Sequence, residues 1–242
     1  MVIVITSDVD FVSDDVLMEA YKGLEKVPMT IFQTHHSKYL EKSFKENNWE
    51  AEIHPNFCEG STQGKTVAEV ISFMSSIPSR NIGYRCHRYY TVNEIEEYYV
   101  EAGFKYISNV CTDLELIHPF VMRSGLVQYP IFMEDGGYLK YHGVPKATDI
   151  IKKMKEDGIY VFNFHPIHLA LNSKDFYYVR KIKDSLSIAE YNNIDLKNIN
   201  RLKNNGYGIR TFLNELLEYA QKNNIEIKTL EECFYERKDN CF

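Results

Sequence analysis

The 242-residue sequence predicts an α/β fold built on a mostly parallel sheet that is covered by helices. Short apolar runs typical of buried strands alternate with amphipathic stretches typical of helices, with a period of roughly 25 residues in the first half of the chain. Alternation of this kind is typical of parallel strands joined by helical crossovers. Because no internal repeat, low-complexity tract or compositional break marks a linker, one domain over residues 1–242 is expected.

The strands are predicted from short runs of β-branched and other apolar residues. Residues 2–5, Val-Ile-Val-Ile, form the first run, and residues 159–164 form another that is strongly apolar. Runs without alternating polar positions are typical of strands buried on both faces. The predicted strands cover residues 2–5, 29–33, 50–53, 81–84, 105–110, 159–164 and 226–230.

The helices are predicted where apolar residues recur at intervals of three and four. In the first of them Val16, Leu17, Ala20 and Tyr21 form one apolar face, and Pro28 ends the segment. The predicted helices cover residues 14–26, 37–48, 66–76, 93–103, 148–157 and 209–223.

Two segments do not follow the alternation. Residues 116–145 are rich in proline and glycine, which predicts loops and extended chain. Residues 172–208 are polar and rich in asparagine and lysine. We interpret this second segment as an excursion of the chain over the functional site.

The composition argues against several classes of partner and location. A net charge of −6 with 28 scattered basic residues argues against nucleic acid, which is bound by clustered lysine and arginine. The five cysteines include no C-x-x-C pair and are interpreted as reduced thiols of a cytoplasmic protein. Neither a signal peptide nor a transmembrane segment is expected, because no window approaches about 18 apolar residues.

Two carboxylates follow the first predicted strand. Asp8 and Asp10 lie in the segment Thr-Ser-Asp-Val-Asp at the carboxyl end of that strand, where ligands bind in α/β sheets and barrels. Residues i and i+2 of an extended chain point to the same side, so both side chains can face one site. The simpler interpretation is that Asp10 only begins a loop and Ser13 only caps the next helix.

Later strands also end in groups that bind metals or transfer protons. A single histidine is more often structural, but five strand ends carrying such groups would converge on one face of a parallel sheet. These residues are Asp8, Asp10, His35, His36, His54, Arg85, His87, Glu134, Asp135, His165 and His168.

The residue types in this set favour metal-assisted acyl hydrolysis. Two imidazoles and one carboxylate suit zinc, iron, cobalt or nickel and leave positions open for water and substrate. A bound metal polarises a carbonyl oxygen and lowers the pKa of its water. A further carboxylate can then accept a proton, and a histidine can protonate the leaving group.

A phosphatase of the haloacid-dehalogenase type is an alternative. Enzymes of that family also begin with a strand that ends in D-x-D, and Val12 fits the position after it. Their late strand is followed by acidic residues, whereas the late strand here is followed by His165 and His168. The alternative is therefore less favoured.

Six fragments, in this order, resemble motifs of the polysaccharide deacetylase superfamily with the NodB homology domain. The resemblance is strongest to its intracellular WbmS-like branch, which belongs to surface-glycan gene clusters. The fragments are TSDVD at 6–10, QTH at 33–35, EIHPNF at 52–57, RCH at 85–87, PIFMED at 130–135 and FNFHPIHLALN at 162–172.

The resemblance implies a distorted barrel of the (β/α)7 type, with about seven strands, and assigns catalytic roles to four residues. Asp8 matches the general base, and Arg85 matches the arginine that orients it. Asp135 matches an acid of the fourth motif, and His165 matches the general acid. The single tryptophan, Trp49, lies outside the fourth motif, where the family usually has one.

The resemblance also implies a metal site. Asp10 and His54 match two ligands of the family. The position of the family's second histidine in this motif is Cys58, so the third ligand is open between His35, which we favour, and His36 or Cys58. Val9 separates the two aspartates, which are adjacent in many family members.

We therefore expect a cytoplasmic, divalent-metal-dependent deacetylase of surface polysaccharide biosynthesis. Zinc is the first choice of metal, with cobalt, nickel or iron as alternatives. The expected substrate is an acetylated sugar, nucleotide- or lipid-linked precursor or glycan, with N-acetyl favoured over O-acetyl. Four residues are expected to bind it: Asn56, His87, Glu134 and His168. A catalytically degenerate carbohydrate-binding relative is the alternative.

Overall fold

The computed structural model describes residues 1–155 and 157–239. Within them the strands are β1 (Val2–Asp8), β2 (Met29–Gln33), β3 (Trp49–Ile53), β4 (Gly83–Tyr84), β5 (Tyr106–Ile107), β6 (Phe120–Val121), β7 (Val127–Gln128), β8 (Ile131–Glu134), β9 (Ile159–Phe164) and β10 (Glu226–Lys228). The helices are α1 (Asp14–Tyr21), α2 (Lys38–Glu46), α3 (Val67–Met74), α4 (Asn93–Glu101), α5 (Asp135–Tyr141), α6 (Ala147–Ile151), α7 (Pro166–Ala170), α8 (Phe176–Asp184), α9 (Ile188–Asn192), α10 (Leu196–Leu202), α11 (Ile209–Lys222) and α12 (Leu230–Asp239).

The strands form one curled sheet in the order β6-β7-β5-β4-β3-β2-β1-β9-β8, and β10 pairs with the first half of β1. The pairs are parallel except for β6 with β7. An isolated parallel bridge between Cys111 and Ile131 connects the extension of β5 to β8. Through this bridge seven parallel strands surround a common interior, which confirms the predicted distorted barrel.

Burial on both faces explains the uninterrupted apolar run of β1. Ile3 and Ile5 belong to the main core between sheet and helices, to which α1 contributes Val16. Val4 belongs to a second core, whose members include Tyr106 of the distant strand β5. Strands that are not neighbours in the sheet meet there, so this second core fills the interior of the barrel.

The excursion over residues 172–208 folds into helices α8, α9 and α10 beside the loop that follows β1. Ser13 caps α1 by accepting the Val16 N–H, and its hydroxyl donates to the Ile194 carbonyl at 2.6 Å. The Leu196 N–H donates to Asp15 at 3.0 Å. These contacts fasten the excursion to the start of α1, which follows the loop after β1.

Some predicted boundaries are wrong. The first helix ends at Tyr21, because Gly23 adopts a left-handed conformation at φ 81°. The helix predicted over 148–157 is the short α6, and Glu156 lies outside the described residues. Within 116–145, predicted as loops and extended chain, the structure contains β6, β7, β8 and α5.

Cys58, Cys86, Cys111 and Cys233 are free thiols, and Cys241 lies outside the described residues.

Among the helices of residues 1–155 and 157–239, none combines the length and the apolarity that crossing a membrane requires.

Candidate active site

The predicted site residues gather at the carboxyl ends of the parallel strands. Asp8 is the last residue of β1, and Asp10 follows it with a left-handed backbone at φ 47°. His54 follows β3, Glu134 ends β8, and His165 follows β9. The sharp turn at Asp10 brings its carboxylate to the histidines described below.

A fully buried arginine holds the first carboxylate. Arg85 is 0% exposed, and its Nη1 lies 2.8 Å from Asp8 Oδ1 and 2.6 Å from Asn163 Oδ1. Its Nε and Nη2 donate to the carbonyl and the hydroxyl of Ser108, and its guanidinium carbon lies 4.3 Å from the ring centroid of Phe32. These contacts fix the guanidinium of Arg85 in place against Asp8.

The carboxyl of Asp8 is held in its ionised form. Burial alone would raise the pKa of its carboxyl, but the charges of Arg85 and His165 and the hydrogen bond from Arg85 outweigh burial, so the pKa is lowered. Asn163 donates its amide to the other carboxylate oxygen at 2.8 Å. Both oxygens therefore have fixed partners, and the carboxylate keeps one orientation.

Asp10, His54 and His87 form a group of potential metal ligands. One donor atom from each residue lies within 4.8 Å of the others. Asp10 Oδ1 lies 3.1 Å from His87 Nδ1 and 3.6 Å from His54 Nε2. His54 is buried, whereas the side chains of Asp10 and His87 are about one-third and one-quarter exposed. The group therefore opens to solvent on one side.

The chemistry of this group fits a divalent cation. Burial lowers the pKa of His54 to about 4, against the charges of Asp8 and Asp10, so its imidazole is neutral and can donate a lone pair. The buried Nδ1 of His54 has no hydrogen-bond partner among the described residues and lies 4.0 Å from Asp8 Oδ1. Two imidazoles and one carboxylate are a common ligand set for zinc.

The third member of this group differs from the sequence-based choice. His35 lies outside it, because its Nδ1 pairs with Thr34 Oγ1 at 2.8 Å and its ring stacks on Phe11. His36 is exposed near Ser76. Cys58, the other alternative, also lies outside the group. The geometry thus places His87, predicted to bind substrate, where His35 was expected.

A strained turn brings His87 to Asp10. Arg88 and Tyr89 both have positive φ angles, 56° and 57°, which non-glycine residues rarely adopt. The amide of Asn109 accepts the N–H of Cys86 at 2.8 Å and donates to the Tyr89 carbonyl at 3.1 Å. The His87 N–H donates to the Pro55 carbonyl. These bonds stabilise the turn against its backbone strain.

His165 forms a second centre with two acids. Its Nδ1 lies 2.6 Å from Asp135 Oδ1 and 3.5 Å from Glu134 Oε1, and its backbone N–H donates to Asp135 Oδ2. Burial lowers the pKa of His165, but the neighbouring Asp135, Asp10 and Glu134 outweigh burial and raise it well above the ordinary value. Its Nε2 lies 4.0 Å from Asp10 Oδ2. The imidazole of His165 is therefore held protonated, with its Nε2 near the ligand group.

Glu134, Asp135 and His165 form a second group whose potential ligand atoms lie within 4.8 Å of one another. Its shortest separation, 2.6 Å between His165 Nδ1 and Asp135 Oδ1, is a charge-assisted hydrogen bond rather than the spacing of two ligands on one ion. We therefore interpret it as a carboxylate–histidine pair.

The remaining predicted substrate-binding residues have structural partners. Glu134 caps α5 by accepting the N–H groups of Gly136 and Gly137. His168 Nδ1 pairs with Ser173 Oγ at 2.9 Å. Asn56 Oδ1 accepts the N–H of Cys58, which closes the turn after His54. Their roles in substrate binding stay predictions.

Sequence reasoning missed four supporting residues: Thr6, Ser108, Asn109 and Asn163. One signal could have identified two of them. Thr6 and Asn163 are polar residues within otherwise apolar strands, and Thr6 shares a face of β1 with Asp8. Polar residues buried in a strand need a partner, and here the partner is Arg85.

The sequence profile of the WbmS-like polysaccharide deacetylases matches residues 5–183, which include all the site residues described above. The chain belongs to this family. The phosphatase alternative is thereby set aside. Outside the matched range, the later strand β10 still pairs with β1 of the barrel. A search among curated proteins finds no significant match.

Two solved structures of polysaccharide deacetylases are similar to this member of the family. One, from Bordetella bronchiseptica and assigned to O-antigen biosynthesis, has a TM-score of 0.76 and 24% identity, with 90% of each chain covered. It supports the fold assignment. The other, from Mycobacterium smegmatis, has a TM-score of 0.42 and 15% identity, with 94% of this chain and 92% of the other covered.

Proposed function

We propose that this protein is a metal-dependent deacetylase that removes an acetyl group from a sugar during surface polysaccharide biosynthesis. One observation carries the proposal. A base held by arginine, Asp8, and an acid held by a carboxylate, His165, each lie 4.0 Å from a member of the Asp10–His54–His87 group. A base and an acid at one ligand group are what acyl hydrolysis requires.

Each residue has one task in this reaction. Asp8 accepts a proton from the attacking water, and Arg85 and Asn163 keep its carboxylate oriented. His165 has Nδ1 bonded to Asp135, which leaves Nε2 to donate a proton to the leaving group. An amine leaves only after protonation, so a positioned acid suits an N-acetyl group better than an O-acetyl group.

Asp10, His54 and His87 would hold the metal, with His87 as the third ligand in place of His35. The cation would polarise the acyl oxygen and make the attacking water more acidic. Two imidazoles and a carboxylate favour zinc, and cobalt, nickel and iron suit the same donors.

The substrate is an acetylated sugar or glycan precursor, and the reaction takes place in the cytoplasm. The family match supports the carbohydrate substrate. The Bordetella structure, assigned to O-antigen biosynthesis, supports a role in making a surface polysaccharide.

Acetate release from N-acetylated sugars, measured together with metal content, tests the proposal. Asp10→Ala should lose metal and activity together, because it removes a ligand. Asp8→Asn should keep the metal and lose turnover, because it removes only the base. Full activity in Asp8→Asn would contradict the assigned mechanism. Saturable glycan binding without acetate release by the metal-loaded wild type would instead identify a non-catalytic relative.

A further inference from the structure

Three neighbouring helices near the candidate active site expose large apolar side chains. Tyr141 at the end of α5, Tyr177 on α8 and Ile188 on α9 are 71%, 62% and 78% exposed. Helix α8 contacts both α5 and α9. Among the described residues, Val121 of β6, at 61%, is the only other large apolar side chain exposed to this degree. We call this surface the α5–α8–α9 face, and exposed apolar groups on adjacent elements mark an interaction site.

This face borders the candidate active site. Helix α5 begins at Asp135, whose carboxylate holds His165. Ser13, three residues after the potential ligand Asp10, donates to the carbonyl of Ile194 just after α9. A partner bound to the face therefore lies beside the candidate active site.

Lysine side chains accompany the aromatic rings on this face. Across residues 1–155 and 157–239, all three contacts between a lysine ammonium and an aromatic ring involve α5, α8 or α9. Lysine stems beside tyrosine rings are typical of surfaces that meet an apolar phase on one side and water on the other. The pairs, with the distance from Nζ to the ring centroid, are Lys140 with Tyr141 (4.9 Å), Lys174 with Tyr178 (5.4 Å) and Lys183 with Tyr191 (5.3 Å).

The face is also positively charged. Tyr177, Arg180 and Lys181 occupy positions i, i+3 and i+4 of α8 and share its exposed side. Residues 174–203 contain seven basic and four acidic residues, although the whole chain has a net charge of −6. Arg180 pairs with Asp184. The lysines of this face that form no ion pair within the described part of the chain are Lys140, Lys174, Lys181 and Lys183.

This combination suits the surface of an anionic bilayer. Lysine ammonium groups bind lipid phosphates, while tyrosine rings and an aliphatic side chain enter the boundary between headgroups and acyl chains. Near an anionic surface each lysine strengthens binding about fivefold. A protein partner fits less well, because lysine is depleted at protein–protein interfaces.

We propose that the α5–α8–α9 face binds the surface of an anionic bilayer, with its lysines at the headgroups and Tyr141, Tyr177 and Ile188 inserted between them. The candidate active site then works beside a membrane surface to which the protein binds reversibly. The inference goes beyond the proposed function, since vesicle binding needs no turnover and is measured without a sugar substrate.

Cosedimentation with vesicles tests the inference. We expect the protein to bind vesicles of equal parts phosphatidylglycerol and phosphatidylcholine, and to bind phosphatidylcholine vesicles at least about tenfold more weakly. Substituting Lys181→Gln and Lys183→Gln together should weaken binding to the mixed vesicles about thirtyfold. The matched control changes two exposed lysines of α2, Lys38→Gln and Lys45→Gln, and should keep the wild-type affinity.

The apolar contribution is tested separately. Ile188→Asn and Tyr177→Ser should each weaken binding to the mixed vesicles about tenfold, with the melting temperature unchanged because both positions are exposed. Val121→Asn, at the similarly exposed position on β6, is the control and should bind as the wild type does.

Absence of wild-type binding to the mixed vesicles, or equal binding by all these variants, would overturn the inference. Equal weakening in the α2 control would also overturn it, because overall charge and not this face would then explain the binding. Self-association without lipid, measured by analytical ultracentrifugation and lost in Ile188→Asn, would overturn it and assign the face to a second copy of the chain. Acetate release from a soluble acetylated sugar is a separate measurement, so failure of bilayer binding does not imply failure of the proposed function.

Discussion

The interior of the barrel holds two sets of buried carboxyl groups, one ionised and the other protonated at mildly acidic pH. Asp8, beside the candidate active site, is 3% exposed and has a lowered pKa. Glu50 and Glu52 on β3 are 1% and 0% exposed; burial raises the pKa of Glu50 to about 7 and that of Glu52 well above its ordinary value. The degree of burial is the same, so burial does not decide which acid is ionised.

The group that pairs with each carboxyl decides whether that carboxyl is ionised. Asp8 lies 2.8 Å from the guanidinium of Arg85, whose charge offsets the cost of burying the carboxylate. Glu50 has the hydroxyls of Thr30 and Tyr106 as partners, which carry no charge. Asp8, at the carboxyl end of β1, is therefore ionised, whereas the acids of β3 retain their protons at mildly acidic pH.

Removing the arginine should have the largest effect. Arg85→Met leaves the buried Asp8 without its ion-pair partner, and breaking a buried ion pair costs about 3–5 kcal/mol. We expect a loss of this size in the free energy of unfolding, measured with urea, together with loss of acetate release. Arg123→Met, which removes an exposed ion pair with Glu97, is the control and should change stability by less than about 1 kcal/mol. Equal losses of stability in the two variants would show that Arg85 does not offset the cost of burying Asp8.

The acids of β3 should make stability depend on pH in the opposite direction to Asp8. Because the folded pKa of Glu50, about 7, exceeds its ordinary value of 4.5, its contribution is complete below pH 4.5 and is lost as the pH rises through 7. We expect the free energy of unfolding to fall by roughly 2 kcal/mol between pH 5 and pH 8.

Glu50→Gln should flatten this profile, since glutamine does not titrate. Urea unfolding of both proteins at several pH values measures the difference. A wild-type profile that stays level from pH 5 to pH 8 would show that Glu50 is ionised like Asp8.

Substitution of Asn109, which stabilises the turn that carries His87, should give the smallest effect. Asn109→Ala removes two bonds to the turn, so we expect about tenfold weaker cobalt binding, observed by visible absorption, with a small change in melting temperature. Asn193→Ala, on the exposed end of α9, is the control. Unchanged cobalt affinity and an unchanged cobalt spectrum in Asn109→Ala would exclude a positioning role.

The parts of this structure that sequence could predict depend on local pattern. The apolar runs of β2 and β9 are predicted with the observed bounds, because such runs have few alternatives to a buried strand. Asp8 ends β1 and Asp10 lies two residues later, whereas His54, Arg85 and His165 directly follow β3, β4 and β9. Parallel pairing therefore brings all five to one face.

The choice between His35 and His87 depends on longer-range contacts. Both residues lie within a few positions of a strand end, and their order in the chain does not show where each loop turns. Arg88 and Tyr89 adopt left-handed conformations that their side chains do not favour, and Asn109, a residue of another loop, stabilises them. Nothing in the local sequence at His87 predicts that contact.

Metal content of two matched variants tests the central claim most directly. His87→Ala and His35→Ala each remove one imidazole beside the site, and zinc and cobalt are measured after dialysis of the loaded proteins. We expect His87→Ala to lose the metal and His35→Ala to retain close to one equivalent. Retention of metal in His87→Ala with its loss in His35→Ala would contradict the assigned ligand group.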